Sequence, residues 1–461
     1  MPPNKVKPVK AAPPSRGGGE SGGMVLTRKN IFMQSWPIML ANAAAPIVGL
    51  VDTFVIGRYS HTTALAGIGL GAAIYAIIYV SFGFLRMSTA GLTAQSDGAG
   101  DRAAVQAHIL RAVPLGLVIG LFFIASQALL FPLAFQFSQA GAAIENAAQS
   151  YMSARLWGLP AMLGSAALRG WFIGISRTGL ALKMQIVLNL VNLILSPLFV
   201  ISFGWGLYGV GIATAIAEWS GLAAGAALAL AEIKRRGGLL TERLNRKALL
   251  DPSQLKKLAV ANSNIFIRTI CITFAFTFFA YAAAREGEIF LAGNHILMQL
   301  ITITALVLDA FAHTAEAVTG AAYGAKNRAR FDKAVRLTSE FSMLFGVLIG
   351  AAIFWLSPYL ISALTHDPLV IASSREFLPY CALVPLLGFA AWQLDGIFIG
   401  TTRTLEMRNA SIAAMLIYLA AHYILTPIWG AHGLWFAFLL YYPARALTLA
   451  FYYPRVRRVM G

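Results

Sequence analysis

The residue best placed to do chemistry is an acid where acids are rare. Asp52 lies inside the first long apolar segment, in the run Asn42-Ala-Ala-Ala-Pro46-Ile-Val-Gly49-Leu-Val-Asp52-Thr53. A carboxylate deep in a bilayer costs roughly 2.5–3.5 kcal/mol on insertion scales. Chains keep one where it faces a polar interior and holds a proton, a cation or a cationic solute. Burial favours the neutral acid and a nearby cation favours the charged one. A proton and a cationic solute would therefore compete for one group, which is the minimum an antiporter needs. The competing reading of Asp52 is a structural hydrogen bond to a neighbouring helix.

Further charges sit inside apolar segments. Asp309, His313 and Glu316 are spaced i, i+4, i+7 and share one helix face. No second ligand cluster accompanies them, so no metal is expected. A structural polar network and a second substrate or proton site both remain open there. Glu218 is mid-span and reads as a functional acid or a pairing partner. Arg86, Arg169 and Asp395 read as gating or structural charges, with Arg169 and Asp395 near the cytoplasmic ends of their spans. Arg268 and Arg445 read as snorkelling or pairing residues. Cys271 and Cys381 stand alone and read as buried inert thiols. The chain has no His-Glu-x-x-His, Gly-x-Ser-x-Gly or Walker motif. Neither an enzyme nor direct ATP use is expected, and no cofactor.

These groups need a membrane scaffold. Of 461 residues, 58% are hydrophobic and only 12% charged, against about 25% charged in a soluble domain. Twelve segments can each span a bilayer: 30–57, 64–95, 107–134, 148–175, 180–203, 206–231, 257–284, 288–322, 334–362, 372–400, 405–427 and 431–453. No room is left for a soluble domain. The net charge of +17 does not indicate nucleic acid, because of its placement. Of 36 Lys and Arg, 28 fall on one side of the alternating topology and about four on the other: Arg58, Arg155, Arg285 and Arg375. The remaining four, Arg86, Arg169, Arg268 and Arg445, are inside spans. That asymmetry places both termini in the cytoplasm of a bacterial inner-membrane protein. Residues 1–27 read as a disordered tail without a signal h-region, and Met24 is an alternative start.

The chain repeats itself at a spacing of 226 residues. Gly98-Ala99-Gly-Asp-Arg102-Ala answers Gly324-Ala325-Lys-Asn-Arg328-Ala, and Leu168-Arg-Gly-Trp-Phe-Ile-Gly174 answers Leu394-Asp-Gly-Ile-Phe-Ile-Gly400. Six spans are therefore duplicated. An even number per repeat keeps the membrane orientation, so the halves are parallel repeats that rock about a central cleft. The expected units are a bundle over 28–232, a linker over 233–256 and a bundle over 257–461. Seven Gly-xxx-Gly pairs (67/71, 116/120, 170/174, 221/225, 320/324, 346/350, 396/400) predict close helix packing. Pro37, Pro46, Pro114, Pro160, Pro197 and Pro385 are candidate bending points.

Gly49-Leu-Val-Asp52-Thr53, Leu85-Arg86-Met-Ser-Thr-Ala-Gly-Leu-Thr-Ala-Gln95, Leu168-Arg-Gly170, Leu308-Asp-Ala-Phe-Ala-His-Thr-Ala-Glu316 and Ala322-Tyr-Gly-Ala325 carry a family likeness. Over roughly 30–455 the chain resembles the multidrug and toxic compound extrusion (MATE) transporters, in particular their DinF-like branch. The resemblance implies a twelve-helix exporter that exchanges protons or Na+ for amphipathic, often cationic compounds, with the helix-1 aspartate, here Asp52, central to coupling. It also exposes a departure. Many relatives carry Asn-x-x-Leu-Asp-Pro on helix 5, where this chain has Asn192-Leu-Ile-Leu-Ser196-Pro197. Ser196 replaces that carboxylate, and Asn189 and Asn192 remain as polar neighbours. One carboxylate is a poorer Na+ cage than two, which favours protons as the coupling ion. Asn42, Asn189, Asn192, Asp309, His313, Glu316 and Glu218 are the substrate or polar-network candidates. The expected protein is a monomeric, proton-driven antiporter. A flippase of a lipid-linked precursor is the alternative, disfavoured because the cleft holds few arginines.

Overall fold

A computed structural model describes residues 25–59, 62–136, 140–239 and 249–460. Residues 1–24 of the expected disordered tail, and the basic residues Arg243, Arg246 and Lys247 of the linker, lie outside the described residues; residues 25–27 are ordered, with Leu26 buried against Val318, Ala334 and Leu337.

The described chain is helical throughout. Helix α1 spans Arg28–Tyr59, α2 Thr62–Ser81, α3 Phe84–Gly98, α4 Arg102–Phe135, α5 Ala142–Arg155, α6 Leu159–Gly174, α7 Thr178–Pro197 and α8 Gly206–Arg235. The second half follows with α9 Pro252–Arg285, α10 Glu288–Gly324, α11 Arg328–Leu364, α12 Pro368–Gly400 and α13 Thr404–Arg458. Ten stretches are each long and apolar enough to cross a bilayer unaided. The other two of twelve crossings need a closer look. One is α5 and α6 joined by a 3-10 turn at Leu156–Gly158, with Pro160 in the first turn of α6. The other arises because α13 folds back on itself at Gly430, whose φ of 54° no helix can hold. The spans form two six-helix lobes, and large side chains such as Leu129, Trp355 and Phe451 point outward where lipid would lie.

Of the prolines, Pro160 and Pro197 stand at real irregularities, the latter ahead of a π-helical turn at Leu198–Ser202. Pro37 and Pro46 lie within one continuous α1. The break between α2 and α3 falls at Phe82-Gly83 and has no proline signal.

The duplication is visible in the backbone. Asp101 caps α4 by accepting from the Ala104 N–H, and its counterpart Asn327 caps α11 by accepting from Arg330 N–H. Ser176 and Thr402, again 226 apart, both hold left-handed φ, at 58° and 52°. In the first lobe, Gly170 and Gly174 pack on the backbone of Arg86 and Ala90; in the second, Gly396 and Gly400 pack on Ala312 and Glu316. A Cβ at any of these glycines would collide with a neighbouring carbonyl oxygen. The expectation of packing glycines holds, because helix backbones approach closely only where side chains are absent.

The lobes meet mainly through α3 and α10, near the ends that lead into the basic loops. A Cβ on Gly98 would strike the carbonyl of Ala321, and one on Gly324 would strike that of Gln95. These two contacts exchange under the 226-residue shift, so the pseudo-twofold axis runs between α3 and α10. Gln95 Nε2 adds donations to Gly400 O at 2.9 Å and Thr402 Oγ1 at 3.0 Å. The basic face is shut.

Candidate functional site

Asp52 is 1% exposed and sits within the first lobe. Helix α1 presents it to α7 and α8, which supply one polar ring. Ser196 Oγ donates to Asp52 Oδ1 at 2.8 Å, Asn192 Nδ2 to the same oxygen at 3.3 Å, and Thr214 Oγ1 to Oδ2 at 3.0 Å. Asn192 Nδ2 also lies 3.1 Å from Thr214 Oγ1 and 3.3 Å from Ser196 Oγ. All four residues are buried. Asn192 Oδ1 is buried without a hydrogen-bond partner. Hydroxyls can donate or accept, and an amide can turn its oxygen where its nitrogen was. The ring can therefore serve Asp52 as a carboxylate or as a neutral acid.

Asn192 and Ser196 stand where the sequence suggests. Asn189 stands one turn away and ties α7 to α1 by donating to Ala44 O at 2.7 Å, while accepting from Gln185 Nε2. The sequence does not single out Thr214, whose only signal is a hydroxyl in a span of small apolar residues. Arg155 is not the loop residue that the charge pattern suggests. It ends α5, binds the Tyr151 hydroxyl and stacks over Tyr75 with its guanidinium 4.2 Å from the ring centre. It is the cation that interacts electrostatically with Asp52, and Glu218 lies in the same field.

A cavity of about 520 Å³ lies between the lobes. Asn42, Arg86, Arg169, Asp309, His313, Glu316 and Asp395 line it, as do Arg268 and Arg445. Asp52 does not, so a proton on Asp52 and a solute in the cavity do not occupy one place. The link between them is α1, which carries Asn42 on the cavity wall, Pro46 next and Asp52 behind. Asn42 Nδ2 donates to Leu306 O on the other lobe at 3.1 Å. Ser35 and Thr314 make a second cross-lobe bond at 2.8 Å.

The charged candidates sort into pairs. Arg86 of α3 holds Glu316 of α10 at 3.1 Å, an ion pair that bridges the lobes. Asp395 accepts from both Arg268 and Arg445, the latter at 2.5 Å. All three belong to the second lobe, so Asp395 is not a lock between lobes; Arg169 and Asp395 each stand five residues before the last residue of their helix, Gly174 and Gly400. Both face the central cavity. Pairing, not snorkelling, describes Arg268 and Arg445. Asp309, His313 and Glu316 do share one face of α10 and all touch the cavity. Among the described residues no group of three potential metal ligands converges. Both cysteines are free and buried.

Two six-span lobes, related by an internal repeat around a central cavity, are the architecture of a multi-pass membrane transporter. A family model described as MatE matches residues 37–198 and 265–428, one block in each lobe, and the chain belongs to the MatE family. It is 29% identical to the DNA damage-inducible protein F of Escherichia coli (strain K12), over 92% of this chain and 91% of that one. A probable multidrug resistance protein NorM of Pseudomonas syringae pv. tomato is 28% identical, over 93% of this chain and 95% of its own. A structure described as "Crystal structure of MATE in the bent conformation" superposes with a TM-score of 0.85 at 18% identity, covering 94% of this chain and 96% of the other. The protein is thus a multidrug-efflux-type transporter and not an enzyme.

Proposed function

We propose that the protein is a proton-driven antiporter that exports amphipathic compounds, and that Asp52 carries the proton. The observation that supports this reading most is the ring of Asn192, Ser196 and Thr214 around a buried Asp52, with one amide oxygen left unpartnered. A purely structural carboxylate would satisfy its neighbours in a single charge state, whereas this ring can satisfy either.

Coupling then runs along α1. Protonation turns one Asp52 oxygen from an acceptor into a donor, so a Ser196 or Thr214 hydroxyl turns to accept, Asn192 turns its amide, or α1 shifts. Pro46 lacks the N–H that would bond to Asn42 O, so α1 is easiest to bend between the ring and the cavity. A bend there moves Asn42 and weakens its bond to Leu306 on the other lobe. A ligand biases the two conformations only by its difference in affinity for them. A proton entering down a ~100 mV potential supplies about 2.3 kcal/mol.

Na+ is the second reading, because Asp52, Asn192, Ser196 and Thr214 bring oxygen atoms to one point. Three of those four side chains are neutral, which keeps the proton ahead. The flippase alternative cannot be set aside for want of arginines, since four line the cavity. Three of them are held by carboxylates, which leaves little for a pyrophosphate. The proposed setting is a bacterial cell membrane with both termini inside, and a monomer.

The test uses the purified chain in proteoliposomes, with uptake of a fluorescent amphiphile under an imposed proton gradient or an imposed Na+ gradient. Uptake driven by protons alone supports the reading. Uptake driven by Na+ alone replaces it.

A further inference from the structure

The four arginines inside spans come from α3, α6, α9 and α13, in two lobes, and all four line the central cavity. Arginine is costly at this depth, so their convergence calls for a counter-charge. The protein supplies part of it: Asp395 holds Arg268 and Arg445, and Glu316 holds Arg86. Two carboxylates thus engage three guanidiniums. Arg169 forms no ion pair among the described residues. Glu218 interacts with it electrostatically from behind the wall without closing to ion-pair distance. The remaining acid on the wall, Asp309, is also without an ion pair and lies in the field of Arg86, Arg268 and Arg445. Counting the lining alone, four guanidiniums face three carboxylates.

We propose that the central cavity binds amphipathic compounds through an anionic group such as a carboxylate, anchored by the Arg169 guanidinium. A planar guanidinium offers a carboxylate two parallel hydrogen bonds. The rest of the wall, including Met87, Met162, Leu163, Phe276 and Trp392, suits an apolar body. The volume of about 520 Å³ lies in the range of small-molecule sites. A permanent monocation finds no such place. Its one unpaired partner, Asp309, shares the field of Arg86, Arg268 and Arg445, opposed by Asp395. The proposal rests on the reading of this cavity as the transport site and replaces cationic with anionic as the preferred charge.

The test is equilibrium dialysis of the full chain in nanodiscs, with empty nanodiscs subtracted and no ion gradient. Three probes share one ring system: 1-naphthaleneacetate, 1-naphthaleneacetamide and a (1-naphthylmethyl)trimethylammonium salt. The acetate is expected to bind about tenfold tighter than the amide, as one charge-assisted contact allows, and tighter than the ammonium. Arg169→Gln should erase that preference without changing amide binding, Arg169→Lys should keep part of it, and Asp309→Asn should enlarge it. A merely structural Arg169 would lower binding of all three probes alike. Ammonium binding equal to or tighter than acetate, or an acetate preference untouched by Arg169→Gln, overturns the proposal. If Arg169→Gln does not fold, the wild-type ranking and the Asp309→Asn shift decide. Anion binding without proton-driven movement in proteoliposomes would overturn the transport reading and leave this inference standing. Proton-driven movement of the ammonium probe, with no acetate preference, would do the reverse.

Discussion

Closing the basic face depends on two missing side chains. A methyl group on Gly98 would fall on the Ala321 carbonyl, and one on Gly324 on the Gln95 carbonyl. Backbone atoms cannot rotate aside, so Gly98→Ala forces α3 and α10 apart or forces the lobes into a different arrangement. Overpacking a well-fitted contact costs about 1–3 kcal/mol, which shifts a two-state ratio by roughly 5- to 150-fold. The basic face should therefore open in a measurable fraction of molecules. Spin labels on Lys183 and Ala329, exposed on either lobe at that face, report the separation by double electron–electron resonance. Cys271 and Cys381 are buried and would first be replaced by Ser and Ala. Gly98→Ala and Gly324→Ala should each lengthen the distance distribution, and to a similar extent, because the repeat relates them. Gly49→Ala, with nothing within 4 Å of the added atom, should leave it unchanged. Unchanged distances in both interface variants would show that the α3–α10 crossing does not hold the face shut.

Other outcomes follow from the same geometry. Asp395→Asn leaves two buried guanidiniums with one neutral partner, and should lower stability by about 3–5 kcal/mol, read as a large drop in thermal midpoint in detergent. Arg86→Gln cuts the bridge to Glu316 and should favour the open basic face, seen as a longer label distance. Thr214→Val keeps shape but removes a donor to Asp52, and should weaken coupled uptake by about fivefold with little loss of folded protein. Asp251, which caps α9 outside the membrane, has its carboxyl held below the usual range by the Ser253 N–H and hydroxyl. Its contribution to stability is present above the ordinary carboxylate range and should fade as pH falls through the lowered value, a dependence that Asp251→Ala should remove.

Much of this was legible in the sequence because the membrane imposes strong rules. Span length, charge asymmetry and the 226-residue spacing gave twelve crossings and two lobes. Ser196 could be named because it breaks a motif. Depth and direction were harder. Arg155 looked like a loop residue because one-dimensional hydropathy does not see that a helix ending within a lobe can bury its last side chain under two tyrosines. Arg169 and Asp395 do stand five residues from the ends of their helices, but a count along the span does not show that both face the central cavity. Arg86, Arg169, Arg268 and Arg445 were each visible as an intramembrane charge, but their meeting depends on how α3, α6, α9 and α13 turn about the pseudo-twofold axis. The separation of Asp52 from the cavity was equally hidden, since Asn42 and Asp52 share a helix but not a face environment.

Proton release answers the central question most directly. The purified chain, in lightly buffered detergent with a pH-sensitive dye, is mixed with a saturating amphiphile that proteoliposome assays have shown to be carried. Protons should appear in solution on binding by the wild type, and Asp52→Asn should bind the amphiphile without releasing them. Equal release from the Asp52→Asn protein would place the exchanging proton on another group and contradict the account.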